Sequence, residues 1–277
     1  MKFRHAAASL LATTLFAAPA LAQDRPSWSG LYVGGQIGYG NVDSDRATVR
    51  FDTNRDGTFG DTIRTTTGAD AFSTGFCSGV AYTARAIDGC DTVESGIEGG
   101  VHAGFDADLG GFVVGVVGEY DRHNQEDSVT AFSITPANYV LTRELRDSYG
   151  IRARVGVPVQ SRTLVYATGG VVRGNFRHSF SSSNTANAFA VDDRRTSGWG
   201  FRAGGGLEHR LTDNLSIGGL YLFSSIEDED GGRIDVTRGT AAATSPFILV
   251  NPNGTLFQRS DDRFKVHSAK LTASLRF

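Results

Sequence analysis

The chain ends Ser268-Ala269-Lys270-Leu271-Thr272-Ala273-Ser274-Leu275-Arg276-Phe277, and the reading of this stretch decides the fold. Phe277, Leu275, Ala273, Leu271 and Ala269 share one face, while Arg276, Ser274, Thr272, Lys270 and Ser268 share the other. Side chains of an extended strand point alternately to opposite faces, so this is a β-strand with one apolar and one polar side. A soluble sheet would turn the apolar side to a core. A strand in a bilayer would turn it to lipid and keep the polar side for the interior of a closed barrel. The rest of the chain chooses between the two.

The other end carries an export pattern. Lys2, Arg4 and His5 precede a short apolar stretch, Ala6 to Ala18, and Ala20-Leu21-Ala22 forms a small-x-small cleavage site. Residues 1–22 therefore read as a cleaved signal peptide and 23–277 as the mature chain. Gln23, where a lipoprotein would have Cys, argues against a lipid anchor. No run of eighteen apolar residues follows, which excludes a helical membrane crossing. The mean hydropathy is that of a soluble chain, but strands that alternate between lipid and lumen average to the same value. A net charge of -3, with the arginines dispersed, offers no basic field for nucleic acid. Cys77 and Cys90 of an exported chain are expected to pair, closing a loop worth roughly 3 kcal/mol in the chain-entropy account. No Cys/His spacing suits zinc. Most of the 35 glycines fall inside alternating runs, which points to close backbone approach or small lumen-facing positions.

The alternation recurs along the chain. Leu31, Val33, Gly35, Ile37 and Tyr39 share one face, with Tyr32, Gly34, Gln36 and Gly38 on the other. Ile97, Val101, Ala103 and Phe105 oppose Glu98, His102 and Asp106. Phe112, Val114, Val116 and Tyr120 oppose Glu119, and Tyr149, Ile151, Ala153, Val155 and Val157 oppose Arg152 and Arg154. The stretch Thr163 to Phe176 is ambiguous, because both of its faces are apolar. Trp199, Phe201, Ala203 and Leu207 oppose Arg202, Glu208 and Arg210, and Leu215, Ile217, Tyr221 and Phe223 precede the terminal strand. The count is about eight. Short turns near 108–111, 158–162 and 211–214 alternate with long polar loops near 41–94, 123–143, 177–196 and 227–265. All long connections then lie at one end. The expectation is an all-β, transmembrane antiparallel up-and-down β-barrel with short periplasmic turns and long extracellular loops.

Trp28-Ser29-Gly30-Leu31-Tyr32-Val33-Gly34-Gly35-Gln36-Ile37-Gly38-Tyr39-Gly40 resembles the W-x-G-x-Y-x-G-x-x-x-G-Y opening of the opacity-like, or outer membrane immunogenic protein, family of small porin-like barrels. The ending Ser268 to Phe277 is similar to that family's closing strand. The resemblance implies the outer membrane of a Gram-negative bacterium, eight strands and variable surface loops. It also implies that Phe277 is a signal read by the barrel-assembly machinery. The long first loop, with its cysteines and the Phe51 to Asp61 segment, departs from the shortest members.

The inward face carries Glu98, His102, Asp106, Glu119, Arg152, Arg154, Arg202, Glu208, Lys270 and Arg276. An eight-stranded interior is just wide enough for side chains to fill, and unpaired charges there are costly. Arg–carboxylate pairs across the lumen are therefore expected, forming a plug. The alternative is a wet lumen with opposed acidic and basic walls, the pattern of a narrow porin for small solutes or ions. In the first loop Asp52, Asn54 and Asp56, followed by Gly57, have the spacing of a Ca²⁺ loop. Position twelve is Ile63 instead of Glu, and a solvated turn explains the same residues. The run Glu227 to Asp230 reads as a solvated loop base, with divalent bridging to lipopolysaccharide as a second reading. Outer-membrane lipid and lipopolysaccharide are the expected surroundings. No G-x-S-x-G, HExxH, P-loop or Rossmann pattern occurs. His267 beside Ser268, and His123 near Asp121 and Asp127, are the only rim candidates for catalysis. The favoured function is non-catalytic, a structural or surface-antigen barrel without cofactor. A narrow porin and a loop-based adhesin or cation binder are the alternatives.

Overall fold

In the computed structural model, residues 27–43, 47–91, 95–228 and 232–277 are described. The expected signal peptide, 1–22, lies outside them, as do Glu229 and Asp230 of the acidic run. Eight long strands follow one another: β1 Gly30–Val42, β2 Ser95–Asp108, β3 Val113–Ser133, β4 Ala137–Val159, β5 Thr163–Ser182, β6 Arg195–Arg210, β7 Leu215–Glu227 and β8 Arg263–Arg276. Each pairs antiparallel with its sequence neighbours, and β1 pairs β8 from Tyr32↔Arg276 to Val42↔Val266. The sheet thus closes on itself, which leaves these strands no free edge.

The period-two pattern explains which face goes where. Leu31, Val33, Ile37, Val101, Ile151 and Leu271 stand exposed on the outside, a continuous apolar band that water would not tolerate and lipid does. Tyr39, Tyr120, Tyr149, Trp199 and Tyr221 ring its outer end, where amphipathic rings suit the headgroup level. The ambiguous fifth stretch is settled by burial. Leu164, Tyr166, Val172 and Phe176 point in, while Val165, Ala167 and Val171 point out. Inward position 206 is held by glycine, since a Cβ there would stand 2.5 Å from the Gly219 carbonyl oxygen and 2.7 Å from the Tyr166 hydroxyl.

The segments expected as long polar loops turn out to be largely structured. The 123–143 segment is a β-hairpin, with β3 running to Ser133 and β4 starting at Ala137. The 177–196 segment contains the end of β5, the start of β6 and a short strand, Ala188–Val191. Strands Val49–Asp52, Ile234–Thr237 and Thr255–Arg259 lie within the first and last segments, and β8 begins five residues before Ser268, at Arg263. With Ala188–Val191 these make a separate four-stranded sheet above the barrel. At 21 and 23 residues, β3 and β4 far exceed the 9–11 that cross a bilayer, so their hairpin projects roughly 30 Å beyond it. Bulges at Arg122/Gln125 and Leu145/Asp147 mark the change of direction.

Hairpin and sheet enclose a dry core of their own. Phe51, Phe72, Tyr139, Phe247 and Phe257 pack together with Val129, Leu141, Ile234 and Val236. Ring centroids of Phe51 and Phe257 are 4.9 Å apart, and those of Tyr139 and Phe257 5.8 Å. Cys77 and Cys90 are bonded, and the Phe76–Ser78 strand that holds Cys77 pairs with β3 through Cys77↔Thr130. The outer end of the molecule is therefore a folded cap.

Candidate functional site

The ten residues expected on the inward face are all buried within the barrel, where they separate into layers. Nearest the periplasmic turns, Asp106 receives Arg154 through Nε at 2.8 Å and through Nη2, and Arg276 at 2.8 Å. Glu208 receives Arg154 at 3.0 Å and the Ser216 hydroxyl at 2.7 Å. Two carboxylates face two guanidiniums. The Arg154 guanidinium also lies 4.6 Å from the Tyr32 ring centre and 5.1 Å from that of Tyr166, which favours the cation in a dry site. Trp28, the first residue of the family-like motif, does not belong to β1. It closes the periplasmic mouth from within, 1% exposed, with Arg210 4.4 Å and Arg276 5.5 Å from its ring.

Half-way up, Arg152 grips Glu119 with two parallel bonds of 2.9 Å. Arg202 reaches Glu119 at 2.7 Å and Asp121 at 3.2 Å, and Lys270 reaches Asp121 at 2.7 Å and Glu98 at 3.2 Å. Three cations meet three carboxylates, and Gln36 donates to Asp121 at 2.6 Å. His102, in contrast, takes no part in the ion pairs; its Nε2 lies 2.8 Å from the Ser274 hydroxyl. Asp121 and His123, assigned to the rim from sequence alone, lie in this layer instead. The β3 alternation continues through them before the bulge re-aims the strand.

Ser148, His123 and Glu98 stand in the hydrogen-bond order of a Ser-His-acid triad, at 2.8 and 3.0 Å. The His123 side chain is 0% and that of Glu98 1% exposed, and Arg202 already donates to the Ser148 hydroxyl at 3.1 Å. The order is that of a catalytic group; the surroundings are those of a buried ion network. His267 faces outward and bonds Tyr221 at 2.6 Å, while Ser268 faces in. Between the two charge layers a void of about 20 Å³ touches Gln36, His102, Arg152 and Arg154, room for about one water. Above them Val42, Leu145, Val172, Phe176, Ile226, Phe264 and Val266 form an apolar layer.

A third charged cluster, absent from the sequence-based set, joins barrel to cap. Asp127 accepts from Arg143 at 2.8 Å and from Arg259 at 2.7 Å, and Asp261 accepts from Arg143 at 2.5 Å and Arg259 at 3.1 Å. Burial alone would pull the Arg259 guanidinium down, but Asp127 and Asp261 hold it above the usual arginine range. Asp228 adjoins it, 3.9 Å from Arg143 and 3.4 Å from His178, so Asp228 of the acidic run is buried and not a solvated loop residue.

In the Asp52–Gly57 turn the carboxylate oxygens are already engaged. Asp52 accepts the backbone N–H of Arg55, Asp56 and Gly57 at 2.6, 3.2 and 2.9 Å, and Asn54 donates to Asp56 at 2.9 Å. Arg55, at φ 62°, swings its guanidinium onto Asp235 at 2.8 Å, and those hydrogen bonds raise it above the usual arginine range. Among the described residues no group of three or more His, Cys, Asp or Glu side chains is placed to hold a metal ion.

Over residues 8–277 the chain matches the family described as the outer membrane protein beta-barrel domain. The 31 kDa outer-membrane immunogenic protein of Brucella melitensis biotype 1 is 27% identical over 139 residues, 49% of this chain and 56% of that protein. The chain thus spans about half the length of this relative. OprG from Pseudomonas aeruginosa shares 12% identity and a TM-score of 0.49, covering 92% of this chain and 100% of that one. Ail of Yersinia pestis shares 13% identity and a TM-score of 0.34, covering 90% and 99%.

Proposed function

This chain belongs to the outer membrane protein beta-barrel domain family and resides in the outer membrane, and on that footing we propose that its barrel is a closed, non-catalytic support for the surface cap. One observation carries the reading: the lumen is crossed by two layers of buried, mutually bonded Arg, Lys and carboxylate side chains, and the void between them has room for about one water. An ion would have to part Arg152 from Glu119 and then Arg154 from Asp106, each pair buried and saturated with hydrogen bonds. The apolar layer around Phe176 and Phe264 would then oppose it a third time. The same filling denies a substrate access to Ser148 and His123.

What remains free to meet other molecules is the cap. Its role is that of a displayed surface, in keeping with the word immunogenic in the name of the Brucella relative. The test is single-channel conductance of the refolded mature protein in a planar bilayer, with folding checked by the heat-modifiable shift on gels. Folded protein that passes no unitary current supports the closed barrel. Uniform current steps would make it a narrow porin, with Arg152, Arg154 and their carboxylates as its filter.

A further inference from the structure

Just above the aromatic ring, one side of the outer wall turns basic. Arg122 of β3, Arg146 of β4, Arg173 and Arg177 of β5 and Arg195 of β6 occupy positions that alternate with buried or inward residues. Arg122, Arg146, Arg177 and Arg195 line one groove together with Asp147 and Asn175. Three carboxylates are near: Glu144, bonded by Arg146 at 2.8 Å, Asp147, bonded by Asn175 at 2.6 Å, and Glu126, the register partner of Glu144. Five arginines less three carboxylates leave a local charge of about +2, on a chain whose net charge is -3. On the neighbouring β7 and β8, Arg263 is neutralised by its register partner Glu227 at 2.6 Å.

Arg177 and Arg195 are direct cross-strand partners. Like charges directly opposite in a sheet destabilise it; on its other side Arg177 faces Glu144, but that carboxylate is bonded by Arg146, and among the described residues no ion pair forms at Arg177 or Arg195. Such an arrangement leaves two exposed guanidiniums open to an anion from outside the chain. Its height says which kind. Tyr149 is the register partner of Arg173, which stacks 5.4 Å over Trp199, so the groove opens where lipid headgroups begin. Below it the wall is apolar, with Ile151, Val171 and Phe201 exposed.

We propose that this groove binds the phosphate of an outer-leaflet glycolipid, the guanidiniums clamping the headgroup while its acyl chains lie along β4, β5 and β6. Arginine suits the task, since its planar fork meets phosphate with two parallel hydrogen bonds. The site is separate from the lumen and stands whether or not the lumen conducts.

The experiment compares the detergent-solubilised full barrel with an Arg122→Gln/Arg177→Gln/Arg195→Gln variant, both checked for folding by the gel shift. Native mass spectrometry measures retention of diphosphorylated lipid A, the same lipid stripped of phosphate, and inorganic phosphate as competitor. The unaltered barrel is expected to hold the phosphorylated lipid at least tenfold more tightly than the stripped one, and the variant to lose that preference, at about fivefold per arginine. Inorganic phosphate at equal concentration should not displace the lipid. Equal retention of the two lipids, an undiminished preference in the variant, or displacement by inorganic phosphate would each overturn the proposal. Should the triple variant not fold, Arg195→Gln alone, which removes a repulsive pair, is expected to show the fivefold loss, and its absence would count equally against the site.

Discussion

Glu119 accepts Arg152 and Arg202 deep in the barrel; Arg202 has Asp121 as a second carboxylate partner, whereas Arg152 has only Glu119. Arg152→Ala should therefore destabilise the barrel by about 3–5 kcal/mol, because a buried carboxylate loses its bidentate partner. Urea unfolding in lipid vesicles reads this directly, and adding Glu119→Gln should restore part of the loss. A shift below about 1 kcal/mol would mean that water replaces the guanidinium and that the lumen is wet. Residues of this layer were legible in the sequence wherever a strand alternated cleanly, because a charge opposite an apolar face has only the lumen to go to. Asp121 and His123 were misplaced because the alternation was taken to end where the membrane ends. Arg143, Asp261 and Arg259 were out of reach for another reason. Arg143 and Asp261 lie 118 residues apart, and nothing in either neighbourhood announces the other.

The β3–β4 hairpin shows what the pattern could not separate at the level of elements. Its lower half alternates between lipid and lumen, whereas in its upper half Val129, Ala131, Tyr139 and Leu141 face the dry core of the cap and Ser128, Thr130 and Phe132 on the other face of β3 are buried as well. The first four keep the period of two, but polar neighbours such as Glu126, Ser128 and Thr142 give the segment the composition of a loop. Strand number, order and the short turns were legible because closure in a membrane permits few solutions; the cap was not, because its four short strands come from distant segments. Phe257 is the register partner of Phe51 and touches Phe72, Tyr139 and Phe247 as well. Phe257→Ala should cost about 3–5 kcal/mol within the cap. Limited proteolysis on intact cells should then cut between residues 47 and 91 or 232 and 262, while the barrel keeps its gel shift. Loss of the shift along with the cap would show that barrel and cap fold as one unit.

The whole molecule is a cylinder sealed three times along its axis, and the lowest seal has a consequence for observing how it forms. Trp28 is buried under Arg210 and Arg276, and its carbonyl accepts from Arg276 at 2.5 Å, while the Phe277 N–H donates to Leu31 at 2.9 Å. Those contacts join the first strand to the last, so they exist only once the cylinder is shut. The chain has two tryptophans, and the other, Trp199, is 56% exposed on the lipid face. Nature has thereby placed one fluorophore on the seam and one on the wall. In a Trp199→Phe variant, emission should stay unchanged while strands insert and change only in the final kinetic phase, when the guanidiniums close over the indole. With Trp28→Phe the remaining signal should follow insertion instead. Coincident traces from the two variants would mean that insertion and closure are a single step; separated traces would time the joining of the two ends in an otherwise unlabelled protein.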